Sequence, residues 1–372
     1  MGVAGFIAGK LKIKSKIVVV SIAVSFVVMI VAVSVTSGFK TEIRNGISNL
    51  FGDVQITEDG FNYMNDNSSL SLEGDVVGKL AALQEVGEVT PAVYKAGIIK
   101  KGDIVQGVVF KGTSSGPDSL GVRVPQQLAS KLALERGDKL TVYFTGEKVR
   151  VRNFKVVDIY TALLGGDDKL MIEASLRDLQ AVCGWDSTMV SAIDIVLKDK
   201  EAGIEDISYT VMGTGVASSS ENRFPQVFSW LELLDVNVLL ILALMTAVAG
   251  FNMVSGLLIS LFRNISTIGI LKASGMRNRS IGAAFLIMSA KTVGRGLLIG
   301  NLLGVGLCLL EKWTHFVKLD PSNYFLSYVP VNIDLSSLIV TDAAAFAVIM
   351  LMLLLPALFI SGVDPAKTIK VR

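Results

Sequence analysis

His315 is the only histidine in the chain, and Cys183 and Cys308 are its only cysteines. Histidine carries much of the acid–base chemistry near neutral pH and much transition-metal ligation, so both chemistries are short of material. Two isolated cysteines make neither a disulfide framework nor a metal spacing and read as small buried hydrophobes. No nucleophile, base or metal cluster converges in the mixed, polar stretch between the first two apolar runs, and neither a dinucleotide nor a P-loop fingerprint occurs. The expectation is a non-catalytic chain with no metal and no cofactor of its own. The polar residues that stand out lie in apolar surroundings: Lys291 and Arg295 one helical turn apart, Asp342, Asn252 and Asn301. Inside a bilayer such residues can line a charge pathway. The blander reading is that Lys291 and Arg295 snorkel to the surface, that interfacial water reaches Asp342, and that the asparagines hydrogen-bond across helices.

Those surroundings are four long apolar runs: Ile17 to Val35, Val236 to Phe262, Ile281 to Leu310 and Leu335 to Ile360. A hydrocarbon core about 30 Å thick takes roughly 20 apolar helical residues to cross, and each run meets or nearly meets that length. Of 372 residues 51% are hydrophobic and only 18% charged, below the ~25% of soluble domains. A net charge of +2 gives no bulk attraction to nucleic acid. The fold class expected is an α-helical membrane protein with four transmembrane helices and one extracytoplasmic α+β domain. The expected divisions are 1–36 (N-terminus and first span), 37–230 (outer domain) and 231–372 (spans two to four).

Charge placement sets the orientation. Lys10, Lys12, Lys14 and Lys16 precede span one; Arg263, Lys272, Arg277 and Arg279 lie between spans two and three; Lys367, Lys370 and Arg372 end the chain. The positive-inside rule puts all three segments in the cytoplasm, and with them both termini. The outer domain and the loop Glu311–Asp334 then face away from it. The alternative for the first run, a cleaved signal peptide, is disfavoured by its length.

The outer domain alternates strand-like and helix-like patches. Asp53–Thr57 begins as a strand, and Asp75–Val86 has helical spacing. Gly97–Lys100 and Ile104–Phe110 flank the hairpin signal Lys101-Gly102-Asp103. Pro125–Leu134 reads as a proline-opened helix, and Lys139–Phe144 and Lys148–Tyr160 as strands around the turn Thr145-Gly146-Glu147. Ser175 followed by Asp178 marks a helix start. The domain reads as one unit or two subdomains. Phe224–Asp235 reads as an amphipathic helix running directly into span two.

Two motifs point to contacts. Gly296, Gly300 and Gly304 recur every four residues in span three, a small-residue stripe that lets another helix approach closely. It serves either packing against spans two and four or a subunit contact. In the inner loop, Ile268, Leu271 and Ile270 give a short helix an apolar edge, with Gly275 as terminator. That edge rests either on the membrane surface or on a cytoplasmic partner.

Four blocks, in order, resemble the permease subunits of the lipoprotein-releasing ABC transporter, the Lol C/E family within the FtsX/MacB-type permeases. They are Ser37-Gly38-Phe39-Lys40-Thr41-Glu42-Ile43-Arg44 with Asp53–Ile56; Phe228-Ser229-Trp230-Leu231-Glu232-Leu233 through Ala249–Leu257; Ile268–Met276; and Leu319-Asp320-Pro321 through Tyr324 and Val329-Pro330-Val331, then Leu355-Pro356-Ala357 and Asp364-Pro365-Ala366. The resemblance covers essentially the whole chain. It implies a MacB-like periplasmic core domain, a location in the cell inner membrane, a second permease subunit, and a cytoplasmic ABC ATPase that binds the ATP-Mg. The substrate it implies is a triacylated lipoprotein taken from the outer leaflet. A periplasmic lipoprotein chaperone is among the partners it allows.

By position, the resemblance places ATPase coupling on Ile268, Ile270, Leu271, Lys272, Gly275, Met276 and Arg277. It places a substrate cleft on Val35, Phe39, Ile43, Val238, Ile241, Leu242 and Met245. Thr267 stands where many members carry an acidic residue, the turn at 145–147 is short for a chaperone hook, and the segment from Gly112 to Gly121 is shorter than usual. Two other readings stay open: a mechanotransmission permease driving an efflux channel or murein hydrolase, and a membrane-anchored sensor or scaffold.

Overall fold

The computed structural model describes residues 16–62, 68–72, 74–144, 149–160, 170–200, 203–320 and 326–359. The basic clusters at 10–14 and 367–372, the turn 145–147, Pro321 to Tyr324 and Asp364 to Ala366 lie outside them. Among the described residues four helices are long and apolar enough to cross a membrane: Lys16–Phe51 (36 residues), Pro225–Arg263 (39), Asn278–Thr314 (37) and Leu335–Ala357 (23). They are called spans one to four. At 1.5 Å per residue the first three reach roughly 54 to 58 Å, well beyond a hydrocarbon core. The expected amphipathic entry to span two is continuous with it, and Phe228 and Leu231 are buried.

The chain forms two compact units. One comprises residues 1–40, 230–317 and 329–372; the other comprises 41–229 and 318–328. The short loop piece Lys318–Tyr328 therefore belongs with the outer unit. Its two ends are joined to each other by a bridge between Lys318 and Tyr328 and by Leu319 N–H donating to the Ser327 carbonyl at 3.0 Å.

Among the described residues the outer unit has eleven strands: β1 Val54–Thr57, β2 Leu70–Ser71, β3 Val86–Lys101, β4 Ile104–Thr113, β5 Gly121–Pro125, β6 Lys139–Phe144, β7 Arg150–Tyr160, β8 Met171–Ser175, β9 Met189–Val190, β10 Ala192–Leu197 and β11 Val216–Ser219. Nine of them form a single sheet, ordered β11-β1-β10-β3-β4-β8-β5-β7-β6, and β6 returns to pair with β3. Six strands thereby close on themselves, which removes their edges. Phe110, Phe144 and Phe154 fill the interior with ring centroids 5.1 to 6.2 Å apart. β3 passes β6 at Gly97, where a Cβ would come within 2.9 Å of Val142. Of the two organisations open from sequence, the described residues show one core, built on the nine-stranded sheet, with β2 and β9 pairing separately.

The Lys101-Gly102-Asp103 hairpin forms in the expected register, Lys101 opposite Ile104, with Gly102 left-handed at φ 61°. The helix expected over Asp75–Val86 ends at Ala81, because Val86 already pairs with Leu197 in the sheet. Ser175 stands at the N-cap of helix Leu176–Cys183 without a side-chain capping bond. Asp178 instead ties down a neighbouring loop, accepting from Ser119 Oγ at 2.9 Å and Leu120 N–H at 2.6 Å.

The four spans share one apolar core, with Ile22 and Phe26 from span one, Met253 and Leu257 from span two, Phe285 from span three and Ile349 from span four.

Candidate coupling helix and apolar groove

Span two stops at Arg263, and Asn264 folds its amide back onto the Ser260 carbonyl at 2.7 Å. A nine-residue helix, Ile265–Ala273, follows. Gly275 ends it in the left-handed region at φ 84°, with Met276 N–H donating to the Leu271 carbonyl (3.0 Å) and Gly275 N–H to that of Lys272 (2.9 Å). This is the six-to-one pattern glycine permits.

The apolar edge divides in a way the sequence did not resolve. Ile268 is 1% exposed and joins the span core, and Leu271 and Met276 pack against it. Ile268 is therefore an anchor, not part of an open docking edge. Ile270 is 60% exposed, on a face with Ser266, Thr267, Ala273 and Ser274. Arg277 and Gly275 are exposed beside it, and Lys272 is half-buried.

Spans one and two leave between them a groove of ≈ 460 Å³, lined mainly by Val27, Val31, Val35, Leu234, Val238 and Ile241, with Thr36 and Asn237 as its polar members. One turn beyond Thr36 and Leu234, Phe39 meets Trp230 edge-to-face at 6.3 Å, and Lys40 donates to Asp235 at 2.5 Å. Of the seven expected cleft residues, Val35, Val238 and Ile241 line the groove and Phe39 belongs to the ring pair beside it. Leu242 and Met245 pack against the span core, and Ile43 is fully buried in the outer unit. Val27, Val31 and Leu234 escaped the sequence reading, although Val27, Val31 and Val35 repeat at helical spacing.

The glycine stripe faces span one. A Cβ on Gly296 would meet Ile22 at 2.6 Å, one on Gly300 would meet Phe26 Cβ at 2.6 Å and the Ala23 carbonyl at 2.8 Å, and one on Gly304 would meet Ile30 at 3.1 Å. The expectation of packing against spans two and four is corrected accordingly, and this surface is already occupied. Lys291 and Arg295 are exposed on the outside of span three, so they line no pathway through the bundle. Asn252 does join helices, donating to Ser21 Oγ at 2.5 Å, and Asn301 donates to Asp342.

Residues 239–365 match the family model for the FtsX-like permease C-terminal domain. The chain carries an FtsX-like permease domain, and the permease class follows from that match together with its four spans. Curated relatives align along nearly the full length. The lipoprotein-releasing system transmembrane protein LolC of Xylella fastidiosa is 20% identical, over 95% of this chain and 92% of its own. LolC of Neisseria meningitidis is 22% identical with the same coverage. LolE of Haemophilus influenzae is 22% identical over 95% of this chain and 94% of its own. Among solved structures, the periplasmic region of MacB from Actinobacillus actinomycetemcomitans aligns at TM-score 0.32 and 13% identity, over 47% of this chain and 91% of that one. The extracellular domain of the noncanonic ABC-type transporter YknZ from Gram-positive bacteria aligns at TM-score 0.31 and 11% identity, over 45% and 98%.

Proposed function

We propose that this chain is the permease subunit of an inner-membrane ABC transporter that extracts lipoproteins from the outer leaflet, with ATP-Mg bound and hydrolysed on a separate cytoplasmic ATPase. The observation that carries the reading is the apolar groove between spans one and two, in a chain that aligns end to end with lipoprotein-releasing relatives. Each methylene moved from lipid into water costs about 0.8 kcal/mol, so acyl chains leave a bilayer only into another apolar surface and with energy supplied.

In this reading the termini and the Arg263–Arg279 loop are cytoplasmic, and the outer unit is a periplasmic MacB-like domain. The ATPase docks on the exposed face around Ile270. Ile268, Leu271 and Met276 pass the displacement to the spans, and Gly275 sets the turn into span three. Since the glycine stripe is occupied by span one, the second permease subunit meets a different face. The uncovered apolar side of span two (Leu239, Leu240, Leu244, Phe251) is available for it. A periplasmic chaperone receives the released lipoprotein.

The deciding experiment places a photo-reactive residue at Val31 or Val238 in the native complex. Crosslinks to an acylated protein, lost when ATP is added, support the reading. Crosslinks to phospholipid alone overturn it. One observation favours a mechanotransmission permease instead: the helices of spans one and two run 36 and 39 residues, roughly twice the 20 a bilayer takes, a length suited to a lever. That reading expects an efflux channel or a hydrolase to co-purify, with no acylated protein in the groove.

A further inference from the structure

Span four contains a single ionisable side chain, Asp342, seven residues after its start. Its carboxylate accepts one bond from the Asn301 amide of span three. The other oxygens of both groups, Asp342 Oδ1 and Asn301 Oδ1, are buried and without a partner. Two buried acceptors without partners are costly in a low-dielectric site, and an ionised carboxylate with no cation costs far more.

Among the described residues no cation offers itself. The ion pairs among the described residues do not include Asp342. On span three the nearest charged residues to Asn301 are Arg295, six positions away or about 9 Å along the axis, and Glu311, ten positions or about 15 Å. Arg295 is exposed on the outside of the helix, and Glu311 turns to the Val317 N–H at 3.3 Å. Arg279, Lys291 and Lys312 lie farther along, and Cys308 carries only a weakly polar thiol. The terminal helix Leu354–Phe359 holds no ionisable group. Those of spans one and two sit toward their ends, at Lys16 and from Lys40 onward, and at Glu232, Asp235 and Arg263.

We propose that Asp342 is a proton-binding site: it is a neutral carboxylic acid in the folded protein, and its O–H donates to Asn301 Oδ1. Acid and amide then form a closed pair of two hydrogen bonds, Asn301 N–H to Asp342 Oδ2 and Asp342 O–H to Asn301 Oδ1. One proton satisfies both orphaned oxygens and removes the buried charge. The ring fastens span three to span four. The proton enters from water during assembly and no other group changes state.

The test is infrared spectroscopy of the full-length protein in liposomes at neutral pH, taken as differences between wild type and variants. Expected is a protonated-carboxyl C=O band in wild type that disappears in Asp342→Asn. The band persists in Asn301→Leu at a shifted frequency, because the acid has lost its amide partner. Absence of the band in wild type overturns the proton site, and an unshifted band in Asn301→Leu overturns the pairing. Thermal unfolding in the same liposomes supplies a second reading. Asp342→Asn, which supplies an N–H in place of the O–H, keeps the wild-type midpoint while Asp342→Ala lowers it. A drop in Asp342→Asn equal to that of Asp342→Ala overturns the ring.

Discussion

Two acidic side chains, one in each unit, are accommodated by opposite means. Asp194 in the outer sheet is 3% exposed and fully engaged. Lys111 Nζ stands 2.8 Å from it, Tyr94 O–H donates at 2.8 Å and Gln55 Nε2 at 2.6 Å. Lys111 also donates to the Leu50 carbonyl at the end of the first long helix, where the aligned peptide dipoles favour a cation. Arg223 serves the same helix end through the Phe51 (3.1 Å) and Gly52 (2.9 Å) carbonyls. Asp342 among the spans has only one amide. The outer unit retains its charge by surrounding it with donors; on the proposed reading the spans carry no charge at Asp342 and join their helices around it by shape and neutral hydrogen bonds, the Lys40–Asp235 pair lying near the ends of spans one and two.

The sharpest way to break this contrast is to remove the cation from the first site. Lys111→Met leaves Asp194 buried and uncompensated, and loss of one member of such a pair costs about 3–5 kcal/mol. The expected result is a large fall in the unfolding midpoint of the full-length protein. The double change Lys111→Met with Asp194→Leu recovers much of the loss, since an apolar pair of similar volume is often neutral. A single variant as stable as wild type contradicts the assignment.

The membrane unit is expected to respond to volume instead. Gly300→Val sets side-chain atoms against the Ala23 carbonyl and Phe26, and overpacking of this kind costs roughly 1–3 kcal/mol. At Gly306, a turn and a half further on, an added Cβ would meet nothing within 4 Å, so Gly306→Val leaves stability unchanged. Equal effects at both positions, read as thermal midpoints in liposomes, contradict the shape-fit account.

These differences explain which features the sequence made legible. The Lys101–Ile104 hairpin, the helices near residues 126 and 176 and all four spans were readable because their signals are local: a turn dipeptide, a proline, an apolar run. Partner choice was not. The β3–β6 closure joins Gly97 to Phe144, and the Asp194 network draws on Gln55, Tyr94 and Lys111. No periodicity encodes such distant pairings. The glycine stripe announced a close approach without naming the helix that makes it. In the helix Ile265–Ala273, spacing grouped Ile268 with Ile270, but two positions apart on a helix is about 200° of rotation, so one faces the core and the other the solvent.

That separation gives the next prediction. Ile270→Asp, at an exposed position, changes stability by no more than about 0.5 kcal/mol and, on the proposed function, lowers lipoprotein release per ATP hydrolysed in the reconstituted complex. Ile268→Asp places a charge in the apolar core and destabilises the spans themselves. A stable Ile270→Asp variant with normal release removes the proposed docking face.

The smallest effect is expected at the start of span four, where an acid is satisfied by local donors in water. Asp334 caps the helix, accepting from the Ser336 and Ser337 N–H groups at 3.2 and 3.0 Å and from their hydroxyls at 2.7 and 2.6 Å. The Ser337 hydroxyl leads these bonds in lowering its pKa from 3.8 to about 2. A carboxyl lowered on folding contributes its stabilisation in full above the unfolded value. That contribution is lost as the pH falls from about 3.8 toward about 2. Asp334→Asn retains a side-chain oxygen for the cap but cannot titrate, so the difference in thermal midpoint between wild type and Asp334→Asn should shrink across that window. A difference that stays constant with pH would show that the cap carries no charge-dependent stabilisation.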